Sequence, residues 1–158
     1  CDWSSDVCSS DLLVSSDAQL LHFAASAVRP QGASAGGMAG INLSAKATVL
    51  FFGAVDPGAD NVVVTVSTST TTIAGADPGR SKVSSFAEFP GKGRATGGVR
   101  AHAFLKGEDV LGTAWVGASP ALAVGTDGSV RALPEGGSKR DASGTPLDGV
   151  VGSVGSSV

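Results

Sequence analysis

The chain has 158 residues, with 11 basic and 14 acidic side chains, 23 glycines and only 5% aromatic residues. That length holds one domain or part of a larger one, and so much glycine points to many tight turns. No apolar run approaches the roughly 20 residues of a membrane-spanning helix and no basic, apolar signal peptide opens the chain, so no membrane partner and a soluble, cytoplasmic protein are expected.

The first twelve residues, CDWSSDVCSSDL, resemble the in-frame translation of a sequencing-library adapter, and 1–12 is set aside as an artefact. Both cysteines, Cys1 and Cys8, go with it, so no disulfide framework is expected. Setting aside Asp2, Asp6 and Asp11 as well brings the acids down to 11, equal to the 11 bases. Any argument from charge therefore rests on its distribution. Short runs of β-forming residues follow at 19–23, 38–43, 48–52, 61–66, 98–104, 109–116 and 122–124. Of these, 61–66 (NVVVTV) is mostly β-branched and too short for a helix. Between them stand turn signals at Asp56-Pro57-Gly58, Asp77-Pro78-Gly79 and Asp127-Gly128. No segment sustains a capped helical stripe. Residues 67–74 read as a Ser/Thr-rich loop, 135–144 as a turn with a basic pair, Lys139 and Arg140, and 149–158 (GVVGSVGSSV) as a loose tail. The class is all-β.

A repeat lies at an offset of 61, where 32–55 aligns with 93–116. Six of the 24 aligned positions are identical: Gly32/Gly93, Gly36/Gly97, Gly37/Gly98, Val49/Val110, Leu50/Leu111 and Val55/Val116. In both copies a double glycine precedes a strand, a polar turn and a second apolar strand. That order predicts a propeller-like array of sheets, with a sandwich of two similar hairpins as the alternative. The repeat units run over 13–66 and 79–124, within one unit spanning 13–148.

Residues 79–100 (GRSKVSSFAEFPGKGRATGGVR) concentrate positive charge. From Arg80 to Lys106 the bases are Arg80, Lys82, Lys92, Arg94, Arg100 and Lys106, against one acid, Glu88. Cationic side chains on glycine-bounded turns reach a phosphate backbone, and the turns' own N–H groups join them. Double-stranded DNA, bound without base readout, is the leading candidate partner.

The order Ser81-Lys82-Val83-Ser84-Ser85, Glu88-Phe89-Pro90, Gly91-Lys92-Gly93-Arg94-Ala95-Thr96-Gly97-Gly98-Val99 resembles the repeats in the C-terminal domain of the A subunit of bacterial type IIA topoisomerases, DNA gyrase and topoisomerase IV. A more degenerate copy runs through Gln19-Leu20-Leu21-His22-Phe23 and Ala27-Val28-Arg29-Pro30-Gln31-Gly32 to Gly37-Met38. The likeness covers most of 13–148 and is nearest to proteins of high-GC, actinobacterial type. It implies a partial β-propeller, or β-pinwheel, of two to three four-stranded blades from a larger array. The rim of such an array bends duplex DNA and presents it to a distant cleavage gate. The resemblance places DNA contacts at Arg29, Arg80, Lys82, Lys92, Arg94 and Arg100. It implies no cofactor in this segment, and a topoisomerase B subunit and a second A subunit as partners through domains upstream. If Arg29, Lys82, Lys92, Arg94 and Arg100 all met phosphate, the salt slope would be about −4.5. The first copy has Ala33 and Ala39 where the second has Arg94 and Arg100, so its rim is expected to bind more weakly. The basic box specific to gyrase is not reproduced at 29–32 or 91–94, so the likeness does not choose between the two enzymes.

Cleavage in that family needs a tyrosine, and the chain has none; no catalysis is expected of this segment. Residues 75–82 (GADPGRSK) lack phosphate-loop spacing. His22 and His102 have no cysteines and only scattered acids near them in sequence, and read as core or rim side chains. A protein-binding or purely structural propeller is the rival function, and a hydrolase on a β scaffold has only scattered acids in its favour.

Overall fold

The computed structural model describes residues 9–73 and 75–156; Cys1, Trp3 and Cys8 lie outside them. Eleven strands are described: β1 (Ser10–Ser15), β2 (Gln19–Ala24), β3 (Val49–Val55), β4 (Asn61–Thr68), β5 (Arg80–Ser85), β6 (Val99–Arg100), β7 (Val110–Ala118), β8 (Ala121–Gly125), β9 (Val130–Arg131), β10 (Thr145–Pro146) and β11 (Val151–Ser156). They form three antiparallel sheets, in the orders β3-β1-β2-β6, β10-β5-β4-β7 and β11-β8-β9. The chain is all-β, with no closed barrel among the described residues. No helix among the described residues is long and apolar enough to cross a membrane.

One pattern recurs in each sheet. A central strand (β1, β4, β8) pairs on one side with the strand after it (β2, β5, β9) and on the other with a later strand (β3, β7, β11). The fourth strand of the first two sheets comes from further along the chain. β6 leaves the second repeat to pair with β2, Gln19 opposite Arg100, and β10 leaves the third to pair with β5, Thr145 opposite Ser81. Neighbouring sheets are thereby tied by exchanged strands as well as by packing.

The middle sheet is buried on both faces, and β4 shows why its sequence is an unbroken β-branched run. Val63 turns to the first sheet and joins Leu12, Val14, Leu20, Phe86, Leu111 and Val116. Val62 and Val64 turn the other way with Val83, against Trp115, Ala121, Leu133 and Val154. Because side chains alternate along a strand, slipping β4 by one residue would exchange the two cores.

Four expectations change. The strand expected at 38–43 is irregular, because no sheet among the described residues lies where β2 lies for β6. The strand expected over 98–104 is confined to Val99–Arg100, after which Ala101 and His102 turn into the core. The tail expected to be loose is β11, which pairs with β8 and packs Val151 and Val154 in a cluster with Val66, Ala123 and Leu147. Ser10, Asp11 and Leu12, set aside with the leader, pair with both β2 and β3. Leu12 is fully buried, so Leu12→Ala is expected to cost about 3 kcal/mol in denaturant unfolding; a loss under about 0.5 kcal/mol would mean that β1 contributes nothing to the core.

Candidate nucleic-acid interface

The exchanged strands carry the loops that hold the basic residues. Residues 91–98, ahead of β6, are docked on the first sheet through main-chain bonds: Lys92 N–H donates to the His22 carbonyl (3.0 Å), Ala95 N–H to Gly40 (2.6 Å), and the Thr96 carbonyl accepts from Asn42 N–H (2.9 Å). Residues 137–144, ahead of β10, dock on the second sheet in the same way, with Ser138 N–H donating to the Val83 carbonyl at 3.2 Å. His22 and Val83 occupy equivalent places in β2 and β5. The two loops are therefore successive copies of one feature on neighbouring sheets.

Lys92, Arg94 and Arg100 are brought together at the first of these loops. Lys92 and Arg100 are exposed, and Arg94 is half-buried. Lys92 Nζ donates to the Gly98 carbonyl at 3.1 Å, and Arg94 Nη1 donates to the Ala39 carbonyl. Both side chains are thus steered by neutral acceptors, and neither is in an ion pair among the described residues. Arg140, on the second loop, reaches back with Nη1 to the Arg100 carbonyl at 3.5 Å. Beside it Lys139 is exposed. Arg100 and Arg140 thus meet at the junction of the first two sheets, with Lys92 and Arg94 on the loop to one side and Lys139 on the loop to the other, a basic track tempered by exposed Asp141. Arg29 is exposed just after the short 3-10 turn Ala25–Ala27, where the next repeat has Pro90, and lies apart from these loops.

Two other residues expected on this surface differ from it: Arg80, its side chain 36% exposed, is held in an ion pair, and Lys82 is buried. Arg80 pairs with Glu108 (Nε to Oε1, 3.2 Å) and donates to the Gly144 carbonyl at 3.4 Å, so its charge is already compensated. Lys82 is 1% exposed: on the alternating pattern of β5 its side chain points into the space between sheets, where Nζ donates to the carbonyls of Lys139 and Arg140. Conversely, Lys139 and Arg140 read only as a basic turn in the sequence. The signal that finds them is spacing: an arginine stands four residues before a glycine at Arg94/Gly98 and again at Arg140/Gly144.

Beneath the track lies a buried polar node. Thr65 Oγ1 and His102 Nδ1 share a hydrogen bond of 2.9 Å, and His102 is 1% exposed, its Nε2 having no partner among the described residues. Burial, reinforced by the Lys82 charge and opposed by Glu108, pushes the His102 pKa down to about 4. The unfolded chain therefore binds the proton more readily, and the stability this gives is complete above pH 6.5 and lost as pH falls toward 4. The difference is worth about 3 kcal/mol. Denaturant unfolding at pH 7.5 and 4.5 should show this loss in the natural chain and much less of it in His102→Gln; equal losses would contradict the assignment. No group of three or more His, Cys, Asp or Glu side chains is arranged to hold a metal ion among the described residues.

No protein-family profile matches the chain, and no curated protein matches it in sequence. Solved structures do. The crystal structure of the C-terminal domain of DNA topoisomerase IV superposes with a TM-score of 0.73 at 20% identity, covering 96% of this chain and 47% of that one. The structure of the DNA gyrase A C-terminal domain superposes with a TM-score of 0.67 at 18% identity, covering 96% and 50%. The chain thus has the fold of these domains and spans about half the length of each.

Proposed function

We propose that this chain is a DNA-binding, non-catalytic part of a type IIA topoisomerase A subunit, in which three successive sheets act as propeller blades and carry duplex DNA along their rim. The observation that carries this reading is the basic track formed where equivalent loops of two neighbouring sheets meet, on a fold shared with the C-terminal domains of topoisomerase IV and gyrase A. Its cations sit on docked loops and at a strand end. Contact with phosphates at a fixed spacing, independent of sequence, follows from that arrangement. A curved array gains contacts as the duplex bends to follow it, and those contacts offset the bending energy. The chain has no tyrosine to form a covalent link to DNA, so DNA cleavage, the B subunit and a second A subunit belong to other parts of the assembly, in the bacterial cytoplasm. No cofactor is needed for binding of this kind.

A strip of exposed apolar residues on the edge strand β3, Val49, Leu50 and Phe52, favours a second reading, a protein-binding array. Electrophoretic mobility shifts on linear duplexes of unrelated sequence separate the two. Similar shifts on all duplexes at low salt support the first reading, and no shift on any leaves the second.

A further inference from the structure

The two docked loops differ in what lies under them. Below 137–144 the ammonium of Lys82 donates to two main-chain carbonyls of the loop, Lys139 at 3.2 Å and Arg140. One repeat earlier, at the same place in β2, stands Leu21, equally buried. The loop 91–98 is therefore docked over a hydrocarbon, and 137–144 over a charge.

We infer that Lys82 is a positioning residue: by holding the main chain at Lys139 and Arg140 it sets where the Arg140 guanidinium stands beside Arg100, and it acts on a polyanion through that loop without touching it. This rests on the duplex-binding reading above. The geometry leaves Lys82 no other route outward, since its charged end is spent on the inner side of the loop that carries Lys139 and Arg140. An apolar side chain of similar length would fill the space but leave both carbonyls short of a donor in a buried site, a loss the loop can recover only by lifting toward water.

The arrangement also gives the loop a signature in pH. The charged and titratable groups around Lys82 are Arg140 and Asp141 from the loop, His102 from the segment after β6, and Glu108, which faces His102 and pairs with Arg80. On β4 its cross-strand neighbour is Thr65, which does not titrate in this range. Burial outweighs the attraction of Asp141 and pushes the lysine from 10.5 to about 8. When the loop lifts, the ammonium meets water and recovers its ordinary affinity for the proton, so protonation favours the lifted state, and the neutral amine, which keeps two N–H donors for the two carbonyls, holds the loop more tightly than the ammonium does. Docking therefore tightens as pH rises through 8 toward 10.5, by about tenfold between pH 7 and pH 9. The Leu21 copy has no such group.

Amide hydrogen exchange in the unaltered chain tests this without DNA. After correction for intrinsic rates, protection at Ser138 and Ala142 is expected to rise about tenfold from pH 7 to pH 9, with no such rise at Lys92 and Ala95. No rise, or an equal rise in both loops, overturns the inference. A second arm uses duplex affinity. Lys82→Met is expected to weaken binding about fivefold in the natural chain and not at all in a Lys139→Ala/Arg140→Ala background. Equal losses in the two backgrounds would place Lys82 on the phosphates itself, and no loss in either would remove its role; both overturn the inference. Should Lys82→Met fail to fold, the exchange result decides. A natural chain that binds no duplex at low salt sinks the function proposed above, and the exchange result then still decides the role of Lys82 in the loop.

Discussion

Gly98→Ala is expected to cost about 3 kcal/mol or more of folding stability, whereas Gly37→Ala, the same position one repeat earlier, is expected to cost about 1 kcal/mol. Both glycines have left-handed backbone, with φ of +75° and +79°, so each substitution carries the penalty of placing a side chain there. They differ in what the new methyl group meets. At Gly98 a Cβ would stand 2.6 Å from the Leu20 carbonyl oxygen and 2.8 Å from its carbon, main-chain atoms of the sheet that β6 joins; at Gly37 nothing lies within 4 Å. The added cost at Gly98 is the cost of prising the exchanged strand off its neighbour. Denaturant unfolding of the two variants side by side measures it, and equal losses would mean that β6 is not held against β2.

Removing the basic track is expected to have the largest effect on binding. In the triple variant Lys92→Ala/Arg94→Ala/Arg100→Ala, loss of three charge-assisted contacts at about 1.5 kcal/mol each weakens duplex binding about a thousandfold. The three side chains lie outside the apolar cores, so the melting temperature should move by only a few degrees. Arg80→Ala gives the contrast. Because that guanidinium is paired with Glu108, its loss should lower stability and leave the number of phosphate contacts unchanged. A triple variant that binds as tightly as the natural chain would remove the track from the interface.

Much of the architecture was legible because local chemistry and global position agree. The β-branched run of β4 declares a strand, and the 61-residue offset declares that the sheets repeat. What sequence could not supply was the exchange of strands. β6 and β10 are two residues each, too short to register as periodicity, and their partners lie a full repeat back along the chain. The same gap explains the misplacements among the basic residues. Arg80 and Lys82 belong to the most basic stretch of the chain, but charge density does not tell which face of a strand a residue occupies or that a later loop will cover it. Lys139 and Arg140 sit beside Glu135 and Asp141, so their segment is locally neutral and draws no attention as a charge cluster. Only the docking of their loop, equivalent to 91–98, brings them to the track. The β11 strand was hidden by its glycines and serines, a composition that lacks a strong β signal and pairs here because β8 offers an open edge.

The salt dependence of duplex binding counts the cations that meet phosphate. With Lys92, Arg94, Arg100, Lys139 and Arg140 each releasing one counterion site, the logarithm of affinity should fall against the logarithm of salt with a slope of about −4.5, a loss of about 500-fold for a fourfold rise in salt. The triple variant should retain a slope of about −1.8. A natural-chain slope near zero, or a triple variant with an unchanged slope, would contradict the proposal that this track carries DNA.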